Sequence, residues 1–182
     1  MPFLNAGFLK DTNEGGNGEF EGAPSNILVT NNDVAVTSVS SDPEVFVTAE
    51  LTTALAAPVS GYDNGFISGS PNLAEVIHND SIAHDYRMDF SGTIVADDPA
   101  FLDTYIGIKI ASSSGQEFTG GIKFYPVGVS FGGSSPAIGF STVVFGNIGA
   151  NEKIILQLSS NTAGNLILTD MIMFAVRITP AG

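Results

Sequence analysis

The chain has no cysteine and no tryptophan, and its 182 residues include only two histidines and six lysines and arginines. Lack of cysteine excludes a disulfide framework and thiol chemistry, and a chain this long can build a core without either. Lack of tryptophan removes a common platform for stacking sugars. Six bases against nineteen acids give a net charge of −13, which would repel a phosphate backbone, because nucleic-acid affinity depends on cations that neutralise phosphates. No stretch reaches the ~18 uncharged apolar residues that a membrane span needs. The opening Met1-Pro2-Phe3-Leu4-Asn5 runs quickly into Lys10-Asp11, without the basic-then-apolar order of a secretory signal. A soluble protein with neither a nucleic-acid nor a membrane partner is expected.

Motifs that carry chemistry are also scarce. His78 and His84 are separated by five residues with two aspartates nearby, but no helix brings them onto one face and no third ligand is evident, so they read as surface-loop residues. Asp11-Thr12-Asn13-Glu14-Gly15-Gly16 imitates the start of a calcium loop, but Gly22 stands where a bidentate glutamate is required. Asp63-Asn64-Gly65 reads as a turn and Asp98 before Pro99 as a helix cap, although that turn and the Asp97-Asp98 pair could each also help to hold calcium. Gly132-Gly133-Ser134-Ser135 lacks the Gly-x-Ser-x-Gly elbow, and no glycine run leads into Gly-Lys-Ser/Thr. The expectation is a protein that is not an enzyme, with no cofactor and no metal site.

What the chain does have is asymmetry. Residues 1–100 hold fifteen of the acids and two bases, whereas residues 101–182 hold four of each. The neutral half is rich in β-branched and aromatic residues, as in Thr142-Val143-Val144-Phe145 and Met171-Ile172-Met173-Phe174-Ala175-Val176. Residues 1–26 stand apart: an apolar tip with Phe3, Leu4, Phe8 and Leu9, followed by an acidic, glycine-rich leash. Such a segment gains order only by lying on something else, so it is expected to be an extended arm whose four apolar residues bind a partner.

From Ile27 to the end, short apolar runs alternate with Gly, Asn, Asp, Ser and Pro, the rhythm of many short strands. No repeat of 20–50 residues is visible, and helices have room only as turns, expected at Ser70-Pro71-Asn72-Leu73-Ala74-Glu75 and at Asp98-Pro99-Ala100-Phe101-Leu102-Asp103. The fold class is therefore all-β: an antiparallel β-sandwich or jelly roll of about 8–10 strands over 27–182. The clearest strand places Tyr86, Met88, Phe90, Gly92 and Ile94 on one face and Arg87, Asp89, Ser91 and Thr93 on the other. The run from Met171 to Ile178 is apolar on both faces. Its second face needs cover, making Met171, Met173, Phe174, Val176 and Ile178 candidates for an oligomer interface. Most of the thirteen Phe are expected in the core, while Tyr62, Phe66, Tyr105 and Tyr125 lie near loops and are candidate glycan contacts.

The runs Phe90-Ser91-Gly92-Thr93-Ile94, Ile106-Gly107-Ile108-Lys109-Ile110, Phe140-Ser141-Thr142-Val143-Val144, Ile154-Ile155-Leu156-Gln157-Leu158 and Phe174-Ala175-Val176-Arg177-Ile178 resemble those of small jelly-roll structural proteins of tailed bacteriophages. They are also similar in cadence to the tumour-necrosis-factor/C1q class of trimeric jelly rolls. The resemblance implies a homotrimeric capsid cement or decoration protein in the virion, its arm lying on the major capsid protein. The same fold would alternatively serve as the distal, glycan-binding domain of a phage tail fibre or spike.

Overall fold

In the computed structural model, residues 25–30, 35–51, 65–129 and 135–178 are described. Twelve strands form one curled antiparallel sheet that folds into two layers: β1 (Ser25–Thr30), β2 (Thr37–Val39), β3 (Val47–Thr48), β4 (Phe66–Ser68), β5 (Glu75–His78), β6 (His84–Ala96), β7 (Tyr105–Ser112), β8 (Glu117–Pro126), β9 (Gly128–Val129), β10 (Pro136–Ile148), β11 (Lys153–Ser160) and β12 (Gly164–Ile178). The path runs β1-β12-β6-β10-β8-β7-β11-β5-β4, with β2 beside β12, β3 beside β11 and β9 beside β10. This is the expected all-β jelly roll. The first layer centres on β12, β6 and β10, and the second on β7, β11 and β5. One register pair, Phe145 with Thr119, joins β10 to β8. Beyond it, Tyr125 Oη and Lys123 Nζ both donate to the Ser141 carbonyl, at 2.6 and 3.3 Å, and hold the diverging strands together.

Period-two alternation explains the core. Tyr86, Met88, Phe90 and Ile94 of β6 are buried, as are Ile106, Ile108 and Ile110 of β7 and Ile154, Leu156 and Leu158 of β11; each set points between the layers. β12 solves a harder problem, because Leu166 and Leu168 are buried on even numbers while Met171, Met173 and Ala175 are buried on odd ones. A register irregularity between Leu168 and Asp170 makes the switch, inserting one residue so that both halves of one strand face the same core. Gly92 lies across from this bulge, and a Cβ there would run into the Asp170 carbonyl oxygen and the Phe140 ring. The glycine in an otherwise regular strand is thus fixed by the bulge beside it.

The two connectors behave differently. Pro99–Phe101 forms a 3-10 turn, with the Asp98 carboxylate accepting the Ala100 N–H at 2.8 Å. Residues 70–73 make a plain turn instead of a helix: the Ser70 N–H donates to the Glu75 carboxylate at 2.7 Å, and Leu73 bridges to Glu50 in the neighbouring extended segment. Backbone pairing with a second segment outweighs the local Ser-Pro capping signal. Strands β4 and β5, which flank that turn, lie outside the runs identified from the sequence.

Candidate functional site

The strand pairing fixes what the outer face of the first layer presents. Across β10, β6 and β12, Phe145, Arg87 and Val176 form one row, Val143, Asp89 and Phe174 the next, and Ser141, Ser91 and Ile172 a third. The middle strand is polar, with Arg87 Nη2 3.3 Å from Asp89 Oδ1, and the strands on both sides are apolar in the first two rows, with Ser141 opposite Ile172 in the third. Phe145 is 49% exposed and Ile172 42%, while Val143, Phe174, Val176 and Ile178 are half-buried. A contiguous apolar face astride an ion pair is costly to leave in water and suited to burial against another surface.

This geometry corrects part of the interface expected from the sequence. Met171 and Met173 are 1% and 0% exposed and belong to the chain's own core cluster, so no second copy can reach them. The bulge decides this, since it sends the odd-numbered residues inward after Asp170. Phe174, Val176 and Ile178 do lie on the outer side, together with Ile172 and with Phe145 and Val143 of β10. Parity within β10, where Ile138, Phe140, Thr142 and Val144 are buried, was the signal that could have found Phe145 and Val143.

The candidate glycan contacts are dispersed. Phe66 is completely buried, its ring 5.0 Å from Tyr86 and 5.4 Å from His78, and cannot touch a ligand. Its strand was missed, so its proximity to a loop was misread. Tyr105 is exposed at the start of β7, where its N–H donates to Asn161 Oδ1 at 3.0 Å. Tyr125 is partly buried, with its hydroxyl committed to Ser141, and burial raises its pKa above the usual phenol value. Tyr62 and the arm residues Phe3, Leu4, Phe8 and Leu9 lie outside the described residues, as do Asp11–Gly16, Asp63-Asn64 and Gly132–Ser134.

The histidines are not surface-loop residues. His78 is wholly buried, with Nδ1 2.8 Å from the Gly149 carbonyl and Nε2 3.1 Å from Tyr86 Oη. A carbonyl can only accept, so Nδ1 carries a proton and donates it to Gly149. His84 Nε2 meets Asp80 Oδ2 at 2.8 Å, which lowers the Asp80 pKa. The two rings stack edge-on at 5.9 Å as part of an aromatic wedge between layers. Among the described residues no three acidic or histidine side chains gather as metal ligands. Asp97 accepts from Asn165 Nδ2 at 2.9 Å and Asp98 caps its turn. Elsewhere, Glu152 binds Ser112 and Ser114, and Glu75 pairs with Lys153 at 2.9 Å. Burial pushes the Glu75 carboxyl up, but bonds from Lys153 and Ser70 outweigh it and leave the pKa below the usual value.

No family model matches the chain, and no curated protein matches it by sequence. Among solved structures it is similar to murine APRIL at pH 5.0, at 13% identity over 85% of this chain and 98% of that one, with a TM-score of 0.42. It is also similar to the globular domain of zebrafish complement 1qA, at 8% identity over 84% and 94%, TM-score 0.41. A third neighbour is the PRD1 vertex protein P5, at 12% identity over 90% and 98%, TM-score 0.41.

Proposed function

We propose that this protein is a non-enzymatic structural component of a virion, a homotrimer that decorates the capsid and bridges major capsid subunits. The observation that carries the reading is the outer face of the first layer. Its apolar flanks on β10 and β12 give a neighbouring copy a surface to bury, and the Arg87–Asp89 pair between them supplies charges of both signs for fixing register in a contact repeated around a three-fold axis. Side chains facing that layer's other side are already used inside the sandwich, so self-association leaves the fold unchanged. The acidic leash and apolar tip of the arm, with Phe3, Leu4, Phe8 and Leu9, provide the attachment to the capsid.

Two measurements separate the parts of this reading. Light scattering tests the trimer, with three times the 18.9 kDa chain mass expected. Binding to purified undecorated heads, with the full chain compared to a chain carrying Ser at positions 3, 4, 8 and 9, tests the arm. Heads that retain the substituted protein at full occupancy would overturn the assignment of those residues.

A further inference from the structure

The second layer has an outer face of its own, with β11 down its middle. On one side of β11 the register puts Lys109 of β7 beside Gln157. On the other side Thr48 of β3 faces Gln157, and Glu50 lies two residues further along the same face, where it bridges to Leu73. Lys109 and Glu50 thus flank the central strand with opposite charges, and neither makes an ion pair among the described residues. Within the strands of this face, Glu75 and Lys153 neutralise each other at 2.9 Å, and Glu117 stands at the β8 edge of the next row, opposite Ala111. Apolar groups occupy opposite corners. Phe124 of β8, half exposed, lies in the row of Gly107 and Ser159 at one end of β11, and Ile67 of β4, also exposed, lies in the row of Ile77 and Lys153 at the other.

We infer that this face is a second self-contact, in which two copies of the chain meet about a two-fold axis that crosses β11 between Gln157 and Ile155. A half-turn about that point exchanges the two flanks. It carries Lys109 of one copy to the Glu50 side of the other, and the Phe124 corner to the Ile67 corner. An isologous contact requires such self-complementarity, because each pair occurs twice. Here it joins both unpaired charges and covers both exposed apolar corners, while Gln157 and Ile155, each half-buried, sit at the centre where a chain meets its own copy. Charges of both signs on one face favour a second copy over a uniformly acidic or basic partner. The net charge of −13 per chain opposes the approach, so the contact is weak in dilute protein and needs enough salt to screen that long-range repulsion. Where copies are already crowded on a particle, it links neighbouring trimers; that linkage rests on the trimeric capsid reading, whereas the contact itself does not.

The full chain carrying Ile172→Asp, in which the first-layer face no longer associates, gives the simplest readout. Sedimentation equilibrium at ~0.15 M salt should show a mass of 18.9 kDa in micromolar protein, rising toward twice that value as the concentration approaches ~1 mM. Lys109→Glu or Glu50→Lys alone turns both cross-pairs into like charges, and either should weaken dimerisation roughly tenfold. Combining the two reverses every pair and should restore it to within about threefold, a rescue that neither substitution can supply by acting on its own chain. Circular dichroism checks that each variant keeps its β-sheet, and Gln at either position, a milder change, should weaken the dimer several-fold. A mass that stays at one chain up to ~1 mM, a dimer indifferent to both single reversals, or a double reversal that remains weak overturns the inference. A chain with Ile172→Asp that is still trimeric at micromolar concentration would instead count against the first-layer assignment, and the same reversals are then read from growth beyond the trimer.

Discussion

Ile172→Asp is the sharpest probe of the proposed interface. The side chain faces away from the core and is 42% exposed in the single chain, so covering its remainder contributes about 1 kcal/mol per copy. An aspartate there forfeits that gain and must lose its hydration on association, a cost of several kcal/mol when no partner donor waits. In a cyclic trimer the change enters once per copy, so the total reaches on the order of 10 kcal/mol and one substitution is sufficient to dissociate the assembly. The isolated chain keeps its fold, since the inward neighbours Met171 and Met173 are untouched. Light scattering on micromolar protein should give about 57 kDa for the unmodified chain and 18.9 kDa for Ile172→Asp, with β-sheet circular dichroism preserved in both. A monomeric unmodified chain, or a variant that stays trimeric, would refute the assignment of this face.

Other consequences can be measured on folding alone. Met173→Ala in a monomeric background removes a fully buried side chain and should cost about 2–5 kcal/mol in denaturant melts, whereas Ile172→Ala in the same background should cost below about 1 kcal/mol. Gly92→Ala forces a methyl against the Asp170 carbonyl at the bulge; a loss of roughly 1–3 kcal/mol is expected, and an unchanged melt would show that the bulge is not where the register places it. Glu75 has a lowered pKa, so its share of stability is present above its unfolded value near 4.5 and fades as pH falls through the lower folded value. Lys153→Met leaves that buried carboxylate with only the Ser70 bonds against desolvation, so its pKa rises relative to the unmodified chain, and the variant's deficit should shrink on acidification from pH 7 to pH 4. A deficit that grows on acidification would show that Lys153 does not hold the carboxylate charged.

The parts of the fold legible in the sequence were those where one physical rule acts alone. Strict alternation over Tyr86–Ile94 identified β6, its inner face and its polar outer face, and the apolar runs of β7, β10 and β11 followed from composition and turn residues. Asp98 before Pro99 announced its capped turn. Where two rules competed, the pattern was ambiguous. Ser70-Pro71 carries a valid helix-start signal, yet the flanking residues pair with β11 and with the segment at Glu50, and long-range backbone bonds win. His78 and His84 looked polar and therefore exposed, but each finds a partner, in Gly149, Tyr86 and Asp80, that makes burial tolerable; such partners come from distant strands and leave no local trace.

β12 shows why a two-faced apolar run is so hard to read. Alternation alone permits two assignments of Met171–Ile178, and the residue that decides between them is upstream, at the irregularity near Asp170. That one inserted residue commits the two methionines to the core and turns Ile172, Phe174 and Val176 to the outer side. Shifting the register by a single position would exchange the two sets, placing flexible methionine side chains outside and β-branched and aromatic ones within. The bulge thus decides which side chains the outer face presents, and Gly92, which faces the core, makes room for it.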